Sequence, residues 1–492
     1  MSLSIDTQNR IRPFVSNLDR PVFAIAGLPE EVIAVLLAYY ARSREDLRTH
    51  LDRLLADDSL GVETQAQIPS SHAQDKARAF HEKWVVGYGH ASVAEHAIVH
   101  FAVEQVSIIA SKAIEDLRLG SFTEKSTRYV VFDSGSFSDL PQLPPVLRQA
   151  YRTACRHLFT EYLDMFPHVQ ERVEATVPGD NDSRRAAAVR AHTCDLLRGL
   201  LPAGTHTNLG ITANARALAT LLCKMLSSPL DEVRNVGEQM RAEASTIAPT
   251  LLRHVAPTPY RQTPRETLPF VNREDRVEAN PSVRLVRHDH DALQRIVLAL
   301  CYEQAVQPHA QARIEALDQQ DSSTLQAIVD RAMAKRGPHD PAPRAMEASH
   351  ITVELELDYG AYRDLQRHRM LTPAVQILGC SLGPTVPDEL HSMGFHDRYE
   401  RALGSVVSTW RELAAHDAFA AQYVVPLAYR IRVLWTLNLR EVFHVVELRS
   451  ARQGHSSYRR VAQALYREVC RVHPWLGGWI RVDMMDHALV RS

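Results

Sequence analysis

Four basic side chains stand close together in the stretch DYGAYRDLQRHRMLTPAVQ, residues 358–376. They are Arg363, Arg367, His368 and Arg369, which the pattern places on one short helix after a strand, with Asp364 as the nearest acid. A guanidinium offers a planar fork to phosphate or carboxylate and stays charged when partly buried. The cluster therefore predicts an anion clamp, and the alternative is a solvated or ion-paired surface.

Polar side chains also recur along the segment that begins with Asn438-Leu439-Arg440. Arg440, His444 and Arg449 follow at spacings that let them line one groove of a long amphipathic helix. A helix that only packed against a core would not need so many polar groups. We therefore expect this helix to contribute to the same site.

A third group lies earlier in the chain, in SFTEKSTRYVVF, residues 121–132. Ser126, Thr127 and Arg128 are predicted to form a turn before a β-rich run. Hydroxyls beside a guanidinium suit a phosphate, although the triplet by itself is a weak signal.

The elements that carry these groups occur twice. Residues 95–118 match residues 347–370 without a gap, and residues 214–234 match residues 438–459 in the same order. Between the pairs, the stretch from residue 256 to 281 carries five prolines and little apolar periodicity, which is typical of a linker. The sequence thus predicts a fused duplication, and the alternative is two unrelated helical halves.

Each half is expected to be α+β, with helix dominating. In the second half, Ile351, Val353, Leu355 and Leu357 alternate with polar residues, which predicts a strand with one buried face. We expect a first domain over residues 1–256, a linker over 257–284 and a second domain over 285–492.

Composition excludes several classes of function. Lys plus Arg (56) nearly balances Asp plus Glu (58), so no global basic field attracts nucleic acid. The six cysteines form no C-x-x-C pair, and we expect no metal site and no disulfide framework. No signal peptide or membrane span is apparent, so a cytoplasmic protein that binds no membrane is expected.

Together these motifs resemble the flavin-dependent thymidylate synthases over most of both halves. The motifs that carry the resemblance are Gly89-His90-Ala91-Ser92-Val93-Ala94-Glu95-His96, Ser126-Thr127-Arg128-Tyr129, Asn214-Ala215-Arg216, Arg367-His368-Arg369, and Asn438-Leu439-Arg440 with Arg449. The resemblance implies two thymidylate-synthase-complementing-type domains, with helices packed on a mostly antiparallel sheet.

The resemblance also implies an activity. Such enzymes methylate C5 of dUMP, taking the carbon from methylenetetrahydrofolate and the hydride from reduced FAD, which a nicotinamide cofactor such as NADPH reduces. Family members are homotetramers, so a homodimer of this fused chain would form a pseudo-tetramer around a small-molecule nucleotide. The implied catalytic residues are Arg367 and Arg449. The implied FAD ligands are Glu347, His368, Arg369, Asn438, Arg440 and His444. The implied substrate ligands are Ser126, Arg128, Arg367 and Arg449.

Three departures from the family pattern leave other functions open. The ungapped match places Glu115-Asp116-Leu117 where the second half has Arg367-His368-Arg369, so the first half has lost its clamp and Glu115 is predicted to lie in a decayed site. The second half lacks S-x-R-Y, and Asp364 replaces the usual glutamine. The alternatives are a flavoenzyme that acts on another acceptor in a specialised biosynthetic pathway, and a non-catalytic nucleotide-binding scaffold.

Overall fold

The computed structural model describes residues 4–19, 23–40, 46–56, 91–178, 182–262, 282–303 and 309–486. His90 and most of the predicted linker lie outside the described residues. The chain divides into two compact units that do not follow its two halves. Unit 1 comprises Met1–Glu104, Leu117–Glu124 and Asn208–Phe270. Unit 2 comprises Gln105–Asp116, Lys125–Thr207 and Val271–Ser492, so it takes segments from both halves.

The described residues form an α+β structure. Its strands are β1 (Ile98–Ser107), β2 (Ser121–Glu124), β3 (His206–Asn214), β4 (Val283–His288), β5 (His350–Asp358), β6 (Leu371–Val375) and β7 (Arg430–Asn438). The helices of the first half are α1 (Ile5–Ile11), α2 (Glu30–Tyr40), α3 (Leu47–Ala56), α4 (Ile108–Glu115), α5 (Pro145–Glu174), α6 (Ser183–Leu197), α7 (Ala215–Leu226) and α8 (Asp231–Ile247). Those of the second half are α9 (Ala292–Tyr302), α10 (Ala310–Asp318), α11 (Ser322–Met333), α12 (Tyr359–Leu365), α13 (Glu389–Ser392), α14 (His396–Gly404), α15 (Val407–His416), α16 (Leu439–Arg449) and α17 (Ser456–Val472). None of the helices in these ranges is long and apolar enough to cross a membrane.

Each half contributes one sheet. The first sheet has the order β1-β3-β2, and the second has the order β4-β5-β7-β6 with antiparallel pairing throughout. In the second sheet Val353 lies opposite Trp435, and both side chains are fully buried. The four apolar residues predicted to share one face of this strand are all buried. Glu356 and Asp358 on the other face are buried as well, so the strand is covered on both faces toward its end and not on one face as predicted.

Both first strands of the repeat turn directly into a short helix that a side chain caps. The Ser107 hydroxyl accepts from the Ala110 amide at the start of α4, and the Asp358 carboxylate accepts from the Ala361 amide at the start of α12. Strand β1 has one residue more than β5, and Gln105 within it has a positive φ of 54°. The ungapped match therefore slips by one residue after this point.

The slip corrects which residues replaced the arginines. Counting from the two caps, Arg367 corresponds to Asp116, His368 to Leu117, and Glu115 to Gln366. Register within a repeat cannot be read from an ungapped match once one strand carries an extra residue.

Equivalent segments of the two halves pair with each other inside unit 2. Pro202 and Pro426 lie twelve residues before Asn214 and Asn438 respectively, so they are equivalent positions, and they form an antiparallel bridge with each other. The flanking hydrogen bonds run from Ala203 N to Val425 O (2.8 Å) and from Leu427 N to Leu201 O (2.9 Å). Equivalent segments that pair reciprocally are what a fused homodimer interface produces.

Three of the predicted elements differ in the structure. Helix α12 ends at Leu365, so Arg363 lies on it while Arg367, His368 and Arg369 form the turn that follows. The run from Tyr129 to Phe132 is not a strand. The two helices that begin with Asn-x-Arg are interrupted before Asp231 and Ser456, where the first break contains Pro229 and the second contains Gly454.

Candidate functional site

His368 lies at the centre of a buried polar chain in unit 2. Its Nε2 accepts a hydrogen bond from Arg449 Nε at 2.8 Å, so Nδ1 carries the ring proton and donates to Glu441 Oε1 at 3.1 Å. Burial, with Arg449 acting in the same direction, lowers the pKa of His368 to about 4, although Glu441 opposes the shift. At neutral pH the ring is therefore uncharged and fixes the direction of the Arg449 guanidinium.

Glu441 links the hydrogen-bonded side chains of Arg449 and His368 to His444, which lies one helical turn further along α16. Burial acts to raise the pKa of Glu441, but hydrogen bonds from His368 and His444 bring it to about 2. The three side chains offer ligand atoms within 4.8 Å of one another, a spacing that a metal ion accepts. The Arg449 cation bonded to His368 works against a divalent cation there, and our prediction of a site without metal stays a prediction.

Arg128, from the first half, is held by a buried carboxylate. Its Nε and Nη2 donate to Asp195 at 2.7 and 2.9 Å, and its Nη1 donates to the Tyr458 hydroxyl at 2.9 Å. Burial alone would lower the pKa of Arg128, but Asp195 raises it well above its ordinary value. Arg128 is thus a permanently charged group with a fixed direction.

Tyr458 brings the two halves of the chain together. The guanidinium carbons of Arg128 and Arg449 each lie 5.5 Å from the centre of its ring. Ser126 supports this arrangement, since its hydroxyl accepts from the Arg128 amide at 3.2 Å. Two predicted substrate ligands from different halves therefore meet around one aromatic ring.

Asp364 does not stand as an isolated negative charge. Arg198 Nη1 donates to it at 3.3 Å. Burial acts to raise the pKa of Asp364, but Arg198, Arg128 and Arg449 together lower it below its ordinary value. The negative charge of Asp364 is therefore offset by neighbouring guanidiniums.

Arg367 lies at the surface of unit 2, with 42% of its side chain exposed. Its Nη2 is 3.6 Å from the buried Glu115 Oε1, and the Glu115 Oε2 accepts from Gln366 Nε2 at 2.9 Å. Glu115 was predicted to lie in a decayed site. The structure places it in contact with Arg367, because α4 of the first half ends beside the turn after α12.

Asn438, Arg440 and Glu347 each form hydrogen bonds within the protein. The Asn438 side chain caps α16 by accepting from the Glu441 amide at 2.8 Å. Arg440 Nη1 donates to Glu347 Oε1 at 2.7 Å, and its Nε donates to the Ala342 carbonyl. These three predicted FAD ligands are thus already engaged within the protein, while Arg369 is half-buried and His444 is exposed.

An open cavity of about 600 Å³ lies over the start of α16. Its lining includes Glu347, Met370, Asn438, Arg440, Glu441 and His444. Roughly 300–1,000 Å³ is usual for small-molecule and cofactor sites. Four of the six predicted FAD ligands therefore share one cavity. Glu441 also lines that cavity, and it is hydrogen-bonded to His368, which in turn contacts Arg449.

The thymidylate synthase complementing protein family model matches residues 36–250 and 284–475. The chain belongs to this family. The match falls in two segments, which confirms the tandem duplication and the two similar α+β domains predicted from the internal repeat. The domain limits at residues 256 and 285 stay a prediction.

Some relatives match most of the chain, and others match less than half of it. A UPF0159 protein of Chlamydia muridarum is 34% identical over 99% of this chain and 97% of its own length. A UPF0159 protein of Thermoplasma acidophilum is 29% identical over 85% of this chain and 91% of its own length. A flavin-dependent thymidylate synthase of Clostridium tetani is 26% identical over 40% of this chain and 77% of its own length.

Among solved structures, a flavin-dependent thymidylate synthase of Helicobacter pylori complexed with FAD and dUMP matches with a TM-score of 0.30 and 15% identity. The match covers 41% of this chain and 100% of the chain in that solved structure.

Sequence reasoning did not assign to the site several residues that the fold places in contact with its predicted members. They are Glu115, Asp195, Arg198, Glu441 and Tyr458. Asp195 lies on helix α6. One signal was available there, since Asp195 and Arg198 interrupt the apolar run CDLLRGLLP and charges in such a run need buried partners.

Proposed function

We propose that this chain is a flavin-dependent, thymidylate-synthase-like enzyme. In this proposal it transfers a methyl group from methylenetetrahydrofolate to C5 of a pyrimidine nucleotide such as dUMP, with FAD as hydride carrier and NADPH as reductant. The observation that carries the proposal is the convergence of Arg128 from one half and Arg449 from the other around Tyr458, with His368 hydrogen-bonded to Arg449. A homodimer forming a pseudo-tetramer is part of the same proposal.

The residues around the cavity fit a flavin. The cavity has the volume of a cofactor site, and it offers the exposed imidazole of His444 beside the guanidinium of Arg440. Bound there, FAD would supply hydride chemistry that no side chain can perform. Met370 and Leu448, both exposed and both lining the cavity, offer apolar surface to a ring system.

Arg449 is suited to stabilise negative charge that develops on a pyrimidine carbonyl during transfer. It is partly buried, where its charge acts through a lower dielectric than water, and burial lowers its pKa without neutralising it. His368 accepts its Nε–H and so orients the rest of the fork before a substrate arrives. Arg367, more exposed, is suited to bind an anionic group of the substrate.

A related activity on another acceptor is favoured by one feature of the same cluster. Arg128 and Arg198 are already paired with Asp195 and Asp364, so less of their hydrogen-bonding capacity is left for a phosphate. A protein with bound flavin that does not bind dUMP would support this second candidate.

The proposal is tested first by measuring the flavin released from the denatured, purified protein. We expect about one FAD per chain, one for each preserved site, followed by saturable dUMP binding in a spectroscopic titration of the flavin. A protein without flavin, even after incubation with excess FAD, would overturn both enzyme proposals and leave a nucleotide-binding scaffold.

A further inference from the structure

We propose that Glu115 is a positioning residue for Arg367, so that the half that lost its arginines orients an arginine of the half that kept them. The inference rests on the proposed function, because it assigns Arg367 to substrate binding. It adds a residue that the family pattern and the sequence alone placed in a decayed site.

The geometry favours a specific role over a chance surface pair. Glu115 is the last residue of α4 and is 3% exposed, whereas exposed pairs are usually made by two flexible, solvated side chains. Its two oxygens face consecutive residues of the other half, Gln366 at 2.9 Å and Arg367 at 3.6 Å. A buried carboxylate needs partners of this kind, so its position is fixed by the fold rather than by the arginine.

The Glu115–Gln366 pair also joins equivalent positions of the two halves, and the two side chains hydrogen-bond to each other. In a true homodimer the two positions would carry the same residue, and two acids there would repel. Fusion lets one copy become an acid while the other stays an amide, which places a single negative charge beside Arg367.

Two opposing effects follow for a bound anion. The carboxylate reduces the local positive potential, which weakens attraction to the anion. It also limits the rotamers of an arginine that is 42% exposed, which lowers the entropy lost when the anion binds. The proposal requires the ordering effect to be the larger one.

The test uses Glu115→Gln in the full-length protein with its flavin. This variant keeps an oxygen that can accept from Gln366 and removes only the charge. Asp116→Asn is the matched control, because it removes the charge of the neighbouring acid, which lies 3.7 Å from Lys112. We expect Glu115→Gln to weaken dUMP binding about fivefold, in the range of one partly exposed ion pair, and to have no effect in an Arg367→Ala background. Unchanged or tighter binding, or an equal loss in both backgrounds, would overturn the proposal.

A second readout does not depend on any substrate. Phenylglyoxal modifies arginines that are accessible and unrestrained, and mass spectrometry locates the modified residue. We expect Glu115→Gln to increase the rate at Arg367 severalfold and to leave the rate at Arg369 unchanged, while Asp116→Asn changes neither. If the wild type binds no nucleotide, the proposed function fails, and the labelling rates still decide the role of Glu115. Equal rates in wild type and Glu115→Gln would refute that role.

Discussion

Helices α7 and α16 begin in the same way, one in each half of the chain. Asn214 caps α7 and Asn438 caps α16, each with a 2.8 Å hydrogen bond from an amide three residues on. The arginines two residues later, Arg216 and Arg440, pair with glutamates at 2.5 and 2.7 Å. These contacts occur in both halves, including the half that lost its arginine clamp.

Beyond that first turn the two helices differ. Counting from the capping asparagines, the first half has Ala217, Thr220 and Met225 where the second half has the residues of the polar chain. Those residues are Glu441, His444 and Arg449. Asn-x-Arg with its glutamate therefore builds the turn between strand and helix in both halves. The polar side chains that contact His368 lie further along the second of these helices.

The largest effect is expected when Arg449 is changed to the residue of the other half. Arg449→Met should lower the turnover of dUMP by about 100-fold or more, the range for removal of one preorganised charge from a reaction centre. Flavin content and the circular dichroism spectrum should stay unchanged, because Met225 is accommodated in the equivalent place of α7.

The measurement for this variant is single-turnover oxidation of the reduced flavin with dUMP and methylenetetrahydrofolate. Arg452→Met, at an exposed arginine three residues on, is the matched control and should behave as wild type. If both variants turn over at the wild-type rate, the assignment of chemistry to α16 is wrong.

The next effect concerns pH. The pKa of folded His368, about 4, lies below its ordinary value of 6.5, so the unfolded chain takes up the proton first. The stabilisation is fully present above about pH 6.5 and is lost as pH falls toward 4, by about 3 kcal/mol for a difference of roughly 2.5 pKa units.

Urea unfolding at several pH values checks this expectation. Burial also lowers the pKa of His455 and His473, so the informative quantity is the difference between wild type and His368→Leu, which carries the residue found at position 117 of the other half. The variant should lose less stability than wild type between pH 6.5 and 4. Equal losses would show that His368 is not protonated on unfolding in that window.

Some features of these elements could be predicted from the sequence, and others could not. The duplication, the strand around Val353 and the two Asn-x-Arg helix starts were predictable, because period, capping residues and internal matches are local properties. The pairing of Arg128 with Asp195 and of Arg367 with Glu115 was not. Each joins residues that are far apart in sequence, and the register slip at Gln105 changed which positions of the repeat are equivalent.

A smaller effect should separate the roles of the capping asparagines. Asn214→Ala and Asn438→Ala each remove one helix cap, and each should cost about 1 kcal/mol of unfolding free energy. If Asn438 is only a cap, both variants should keep the wild-type flavin content after purification. Loss of flavin from Asn438→Ala alone, at matched stability, would assign Asn438 a second role as a cofactor ligand.

The smallest effect is expected at the paired arginines. Arg216 and Glu95 are about half exposed, and Arg440 and Glu347 are somewhat less so, so removing either guanidinium should change stability by less than about 1 kcal/mol. Because the stability effects are small and similar, a difference in FAD affinity between Arg216→Ala and Arg440→Ala would report directly on the cavity beside Arg440. We expect a weaker FAD affinity in Arg440→Ala alone, measured by fluorescence titration of the flavin-free protein. Equal affinities would mean that Arg440, like Arg216, serves the fold and not the cofactor.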